Sequence, residues 1–308
     1  MGSQALKTPN IHGREEFVLQ RIESYLEKVI AESYLVEPLH SAVLHMLFPG
    51  GKRIRPLFAL SICEDLGGDC EALLPAAAAL ELLHTSSLIH DDLPSMDDDN
   101  VRRGKPTCHV KYGEATAILA GDVLVALSMG ELAGISYSTE IRNSMVEELS
   151  KTYVKLCNGQ QLDILPLEKR GKIEEIHKLK TGALFRSAAL FGAMGASVSS
   201  KALPFAAELG LAVGVGFQVV DDYLDAQESA KGRPHGSDMR NRRPTFLSDS
   251  FHQAGTKILL EIEQRIDQAF NSLMLASGAQ QRSETFLLTR SLIERVFIRL
   301  GTGDEGRG

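Results

Sequence analysis

The sequence predicts an all-α protein, a multi-helix bundle around a central active-site cavity, and three observations lead to that prediction. Ala and Leu are abundant, whereas aromatic residues make up 6% of the 308 residues and Trp is absent. Ala and Leu have high helix propensity, and the β-branched residues that favour strands are not enriched. Apolar residues recur at helical spacing, and no stretch shows the two-residue alternation of a half-buried strand.

The first half of the chain contains three helical patterns separated by clear breaks. Apolar residues at helical spacing predict the first helix over 15–30. Pro49 and two glycines then end a helix, and another is predicted over 57–66 before Gly67 and Gly68. An Ala- and Leu-rich helix is predicted to start at Pro75 and continue to His90. The segment 91–113 is polar, contains Gly and Pro, and is predicted to be a loop.

The second half is predicted to be helical around one long polar loop, 226–243, which is rich in Gly and Arg. Several of the predicted helices are apolar on more than one face, which indicates a buried central layer. The apolar patterns predict helices over 115–132, 141–162, 173–195, 201–225, 253–273 and 283–300.

Composition favours one cytoplasmic domain. No linker divides the chain, so a single domain is expected over 1–308, with flexible tails at 1–13 and 301–308. The formal net charge of -7 argues against nucleic acid as a partner. The polar N-terminus lacks an apolar signal core, and no apolar run is expected to reach the length of a membrane span. The four cysteines form no close pair, which favours a reducing compartment.

Two acidic clusters stand out because each adjoins an apolar helix. The first is HDDLPSMDDDN, which contains Asp91, Asp92 and Asp97, and the second is FQVVDDYLD, with Asp221, Asp222 and Asp225. Carboxylates this close repel one another unless a cation neutralises them. Oxygen ligands without Cys or a His pair favour magnesium over zinc. The sequence therefore predicts a magnesium site.

Basic residues are concentrated in two further segments, GGKRIRP (Lys52, Arg53, Arg55) and VRRGKPT (Arg102, Arg103, Lys105). Arg binds phosphate oxygens through a planar fork, and Lys acts as a point charge. Two basic clusters beside two acidic ones suggest that phosphate is held both directly and through bridging magnesium. This combination fits a reaction between two phosphorylated substrates.

Four segments, FPGGKRIRP, LIHDDLPSMDDDNVRRGKPTCH, LKTGALF and FQVVDDYLD, resemble in order and spacing the signature segments of the trans-isoprenyl diphosphate synthases. The resemblance implies the isoprenoid synthase fold, a homodimer, and condensation of isopentenyl diphosphate with an allylic diphosphate. It also implies several Mg²⁺ ions in each active site, with Mn²⁺ as a substitute. Isopentenyl diphosphate would be held by Lys52, Arg55, His84 and Arg103.

The resemblance also assigns the allylic side of the site. The metal ligands would be Asp91, Asp92, Asp97, Asp221, Asp222 and Asp225. Among these, Asp91, Asp92, Asp221 and Asp222 are expected to be catalytic together with Lys180, and Arg102, Lys180, Thr181 and Gln218 would assist the allylic diphosphate. In the loop after the second cluster, Asp238 is retained, but Arg243 stands where the family has Lys. That change keeps the charge and alters its geometry, so the grip on phosphate could differ.

Product length is expected to depend on Ser86 and Ser87. The residue five positions before the first acidic cluster often forms the floor of the elongation pocket in this family, and Ser86 has that position. A small residue there leaves room for a long chain. We therefore expect geranylgeranyl diphosphate (C20), with farnesyl diphosphate (C15) as the alternative.

Other readings stay open. An HD-type metal phosphohydrolase would use His84, His90 and Asp91, but it leaves the second acidic cluster and the Arg clusters without a role. A class I terpene cyclase would carry a different second metal motif. A non-catalytic regulatory subunit of a heteromeric prenyl synthase is the third alternative, and the intact acidic clusters argue against it.

Overall fold

The structure, a computed structural model, describes residues 11–169, 171–230, 251–278 and 287–298, and this part of the chain is almost entirely helical. A 3-10 turn lies at Leu167–Lys169 and a π-helical turn at Lys178–Gly182. The helices are α1 (Ile11–Glu32), α2 (Leu39–Leu47), α3 (Ile54–Asp65), α4 (Cys70–Asp91), α5 (Cys108–Tyr112), α6 (Glu114–Gly134), α7 (Thr139–Ile164), α8 (Ile173–His177), α9 (Ala183–Gly195), α10 (Leu203–Ala230), α11 (Phe251–Ser277) and α12 (Leu287–Ile298).

Helices α4 and α9 form the centre of the bundle. Helix α4 packs against α3, α6 and α9, and α9 lies between α3 and α10. Almost every residue of α9 is buried, including Phe185 and Phe191. A helix covered on several sides needs apolar or small residues all round, which explains why neither helix shows a single apolar stripe. The all-α prediction is confirmed.

Three local predictions were wrong. Helix α4 begins before Pro75, because the side chain of Asp69 accepts hydrogen bonds from the backbone N–H groups of Glu71 (2.9 Å) and Ala72 (3.3 Å) and caps the helix. The loop after α4 contains a short antiparallel ribbon, β1 (Val101–Arg102) with β2 (Lys105–Pro106). The segment predicted as one helix over 173–195 is interrupted by the π-helical turn.

Three helices are long and apolar enough to cross a membrane, judged by length and composition. They are Cys70–Asp91, Glu114–Gly134 and the Leu203–Asp222 part of α10, with mean hydropathies of 1.4, 1.6 and 1.6. The expectation that no apolar run reaches this length is therefore wrong. The most apolar windows of α4 and α10 are 72% and 56% buried in the bundle, but that of α6 is only 33% buried.

The expected tails fall mostly outside the described residues. Helix α1 begins at Ile11, so the last part of the segment 1–13 is helical rather than a tail. Residues 1–10 and 301–308 lie outside the part of the chain that the structure describes.

Candidate active site

The first acidic cluster lies at the C-terminal end of α4 and in the loop that follows. Asp92 is fully buried, and Arg102 of the β ribbon binds both of its carboxylate oxygens through Nε (2.9 Å each) and one of them through Nη2 (2.6 Å). Burial raises the pKa of Asp92, and Arg102 opposes that rise. Two residues predicted to bind the metal and the diphosphate separately are thus paired with each other.

Asp91 and Asp97 lie on the other side of this loop. Burial raises the pKa of Asp91 to about 6, against the attraction of Lys180. Asp97 is buried and its Oδ1 accepts a hydrogen bond of 2.8 Å from the side chain of Gln160 on α7. The backbone N–H of Asp97 also bonds to the carbonyl of Asp91 at 2.9 Å, which closes the loop and keeps the two aspartates close.

The π-helical turn carries Lys180 and Thr181 into the site. The Nζ atom of Lys180 lies 2.8 Å from a carboxylate oxygen of Asp163 and 3.9 Å from one of Asp97. Thr181 donates a 2.8 Å hydrogen bond to the side-chain carbonyl of Gln218 on α10. Short π-helical segments are frequent at functional sites, and this one packs against both α7 and α10.

The second acidic cluster continues this hydrogen-bonded line along α10. Gln218 donates a 2.9 Å hydrogen bond to Asp222, which is buried. Nε2 of His177 lies 3.7 Å from the other oxygen of Asp222, and burial lowers the pKa of His177 to about 4, so its ring is neutral near pH 7. Asp221 is half-buried and close enough to Arg55 for its charge to oppose the lowering of the Arg55 pKa by burial.

Three predicted site residues have side chains outside the part of the chain that the structure describes. The side chain of Asp225 on α10 lies outside the described residues, and so do Asp238 and Arg243. Their assignments stay predictions.

A cationic cluster lies around the start of α3. Nη1 of Arg55 donates a 3.1 Å hydrogen bond to Nε2 of His84, and its guanidinium stacks 5.0 Å from the ring of Phe185. Burial lowers the pKa of Arg55 to about 10. Burial and the neighbouring Arg55 and Arg103 hold the pKa of His84 well below its usual value, so this imidazole is a neutral acceptor.

Arg103 and Lys52 complete this cluster. Arg103 lies directly over Gly51, where an added Cβ would come within 2.7 Å of the guanidinium, so a side chain there would displace the guanidinium. Lys52 is exposed at the rim. The structure therefore brings Arg55, His84 and Arg103 together into a cluster whose charge suits an anion.

Arg53, in the same basic segment, points the other way. Its side chain is 1% exposed and forms ion pairs with Glu81 (2.6 Å) and Glu23 (2.8 Å). It also donates a 2.6 Å hydrogen bond to the carbonyl of Leu47. Arg53 is therefore structural.

The acidic clusters offer the type of ligand atom that magnesium prefers. No group of three or more His, Cys, Asp or Glu side chains in the described ranges converges closely enough to hold an ion. The aspartates are engaged instead by Arg102, Gln160 and Gln218. The available donors are carboxylate oxygens, with no thiolate among them, and this set suits a hard cation.

A cavity of about 270 Å³ opens beside the first acidic cluster. Its walls come from the end of α4, one face of α7 and the π-helical turn, and they include Ser87, Asp91, Tyr153, Leu156 and Lys180. Ser87 thus lines the cavity, whereas Ser86 is fully buried and its hydroxyl has no hydrogen-bond partner among the described residues. Of the two serines predicted to control product length, Ser87 has the direct contact with this space.

The histidines of the phosphohydrolase alternative do not converge. His84 contacts Arg55, whereas Nε2 of His90 lies 3.1 Å from the backbone carbonyl of Ile118 on α6. A metal phosphohydrolase needs its histidine and aspartate ligands around one ion. The structure gives that alternative no support.

Two polar residues of the site were not predicted, Gln160 and Asp163 on α7. Both are at least nine-tenths buried, with exposures of 8% and 9%. They contact Asp97 and Lys180 respectively. Their signal was present in the sequence, because they are polar residues three positions apart on the helix face that also carries Leu156.

Comparisons with known proteins identify the family of the chain. Residues 36–281 match the family model described as polyprenyl synthetase. A farnesyl diphosphate synthase of Micrococcus luteus is 40% identical over 256 residues, covering 81% of this chain and 87% of that protein. A geranylgeranyl diphosphate synthase of Rhodobacter capsulatus is 38% identical over 253 residues, covering 79% and 86%.

A solved structure is similar over nearly the whole chain. It is a geranyltransferase from Helicobacter pylori complexed with magnesium and isoprenyl diphosphate, with a TM-score of 0.76 and 25% identity, covering 97% of this chain and 100% of that one. The family model alone spans well over half of the residues. The chain therefore belongs to the polyprenyl synthetase family.

Proposed function

We propose that this protein is a magnesium-dependent trans-prenyltransferase that joins isopentenyl diphosphate to an allylic diphosphate, 1′-4 and head to tail, and releases diphosphate. The observation that carries the proposal is the presence of two different sites, each of which could hold a diphosphate. One is cationic, around Arg55, His84 and Arg103. The other is rich in carboxylates and contains Lys180. Such a pair suits two diphosphates, one bound directly and one bound through a cation.

The reaction follows from these two halves. The allylic C–O bond breaks, and the bonding electrons leave with the diphosphate. The double bond of isopentenyl diphosphate attacks the resulting allylic cation, and a proton is then lost to restore a double bond. Lys180 and Thr181 would bind the departing diphosphate, Arg55 and Arg103 would hold the second substrate, and the cavity beside Asp91 would shield the cation from water.

Magnesium, when bound, supplies positive charge that stabilises the leaving diphosphate. We propose that Asp91, Asp92, Asp97, Asp221, Asp222 and Asp225 hold several such ions, and that Mn²⁺ can replace them. Because Asp92 and Asp222 are engaged by Arg102 and Gln218, metal binding would exchange some of these contacts.

The proposal is tested by incubating the purified protein with labelled isopentenyl diphosphate and dimethylallyl, geranyl or farnesyl diphosphate in parallel. The expected result is a prenyl alcohol after dephosphorylation that forms with Mg²⁺ and disappears with EDTA. Formation of no longer product from any primer would refute the proposal and favour the non-catalytic regulatory subunit. Release of inorganic phosphate from a single substrate would favour a phosphohydrolase.

We propose geranylgeranyl diphosphate as the product, with farnesyl diphosphate as the alternative. The 270 Å³ cavity is lined by small Ser87, and the growing chain would extend past it. Ser87→Phe should therefore shorten the main product by at least one isoprene unit, because the ring would occupy that space. Chromatography of the dephosphorylated products formed from labelled isopentenyl diphosphate and a geranyl primer measures the change. Ser136→Phe, in the exposed α6–α7 loop, is the control, and an unchanged product from Ser87→Phe would place the floor elsewhere.

We also propose that the protein is a homodimer formed through α6. Ile118 and Leu119 on this helix are 45% and 55% exposed, and the apolar α6 is only one-third buried in the protomer. A second copy would cover this face. Leu119→Glu should convert the dimer to monomer in sedimentation velocity, whereas Leu260→Glu, at a leucine of α11 that is 53% exposed, should leave the mass unchanged. A monomeric wild-type protein would contradict this assignment.

A further inference from the structure

The end of α7 lies against the π-helical turn that carries Lys180. Gly159 approaches this turn so closely that an added Cβ would come within 2.7 Å of the backbone nitrogen of Lys180 and 3.1 Å of the carbonyl carbon of Leu179. Glycine at this position therefore allows the backbone of α7 to contact the backbone of the π-helical turn. The π-helical turn is therefore packed directly against the backbone of α7.

One turn further along α7, Asp163 faces the same segment. Gly159 and Asp163 are four residues apart and so share one face of the helix. The side chain of Asp163 is 12% exposed, and its Oδ2 accepts a 2.8 Å hydrogen bond from Nζ of Lys180. The nearest oxygen of Asp97 is more distant, at 3.9 Å. The hydrogen-bonded partner of the ammonium group is therefore a residue of α7 that belongs to neither aspartate-rich cluster, while Asp91 and Asp97 attract the same group without a hydrogen bond.

Gln160 holds the opposite side of the same space. Its amide N–H donates to Asp97 at 2.8 Å, so Asp97 is restrained while Lys180 is drawn to Asp163. Gln160 and Lys180 both line the 270 Å³ cavity, where the allylic substrate would bind. Charge-assisted hydrogen bonds of this kind are strong and directional, and they suit a group that must be placed before the substrate arrives.

We propose that Asp163 is a positioning residue that aims the ammonium group of Lys180 at the allylic diphosphate. This inference rests on the proposed function. A long lysine side chain has many rotamers, and fixing it in advance removes that entropic cost from the reaction. Asp163 needs no contact with substrate for this role, because it acts through Lys180.

The test is a double-mutant cycle with Asp163→Leu and Lys180→Met. We expect Asp163→Leu to lower kcat about tenfold to a hundredfold and to leave the KM for isopentenyl diphosphate within about threefold, because the cationic site is untouched. In the Lys180→Met background the same change should lower kcat less than about threefold, since the group it positions is gone. Equal losses in both backgrounds would overturn the proposal, as would a single-variant loss below threefold.

Glu147→Gln is the matched control. It removes a carboxylate that pairs with Lys151 at 2.5 Å on the same helix, but on its exposed surface, and it should leave kcat unchanged. If Asp163→Leu does not fold, Asp163→Asn keeps the shape and removes the charge, with an expected loss of about fivefold that should again vanish in the Lys180→Met background.

A crystallographic comparison separates this inference from the proposed function. Without the Asp163 carboxylate, the ammonium of Lys180 should leave its position beside residue 163, whether or not the wild-type protein condenses prenyl diphosphates. An unmoved ammonium would overturn the positioning role. An inactive wild-type protein with a displaced Lys180 in the variant would refute the proposed function and keep the positioning.

Discussion

Asp91→Asn is expected to lower kcat by about a thousandfold or more. Asp91 lies at the junction of the first acidic cluster and the cavity, beside Lys180. The change keeps the size of the side chain and removes its charge. A catalytic cation contributes several kcal/mol to stabilising the leaving diphosphate, and each ~1.4 kcal/mol corresponds to a factor of ten in rate.

The measurement is steady-state turnover at saturating substrates, together with calorimetric titration of pyrophosphate in the presence of Mg²⁺. Asp98→Asn is the matched control, because Asp98 is exposed in the same loop and its φ of 53° suits asparagine. That variant should keep nearly full activity. Turnover of Asp91→Asn within tenfold of wild type would show that this carboxylate is not a required ligand.

The sequence predicted most of the helices correctly because their burial leaves a strong apolar pattern. α7 and α11, for example, begin and end within a few residues of the predicted bounds. The β ribbon was missed because two-residue strands are too short to show alternation. The sequence predicts the start of α4 at Pro75, because proline favours the first turn of a helix, whereas the cap is supplied by Asp69.

The sequence predicted which charged residues belong to the candidate site, but it predicted few of the contacts between their side chains. Spacing placed aspartates and arginines near one another, but it could not show that Arg102 faces Asp92. Nor could it show that Arg53 and Arg55, two residues apart, point in opposite directions. The backbone of Arg53 is left-handed, with φ 49°, and its side chain contacts Glu81 and the carbonyl of Leu47 in the core. The periodicity of neighbouring residues carries no signal for such a change.

Because the side chain of Arg53 lies in the core, we expect its replacement to have a large effect on stability. Arg53→Met should lower the free energy of unfolding by about 3–5 kcal/mol, because the buried carboxylate of Glu81 loses its hydrogen-bonded cation and keeps only the weaker attraction of Arg55 and Arg103. The side chain of Glu81 is 2% exposed, so water cannot replace the guanidinium. Glu23, at 36% exposed, can be solvated and should contribute little to the loss.

Urea denaturation of wild type and variants measures this effect. Arg265→Met is the matched control, because Arg265 pairs with Glu208 at 2.6 Å where both side chains are well exposed, and its loss should be about 0–1 kcal/mol. Adding Glu81→Leu to Arg53→Met should recover part of the stability, since the double change removes the isolated buried charge. If Arg53→Met cost no more than Arg265→Met, the buried pair would not stabilise the fold, and Arg53 would have to be reconsidered as part of the anion site.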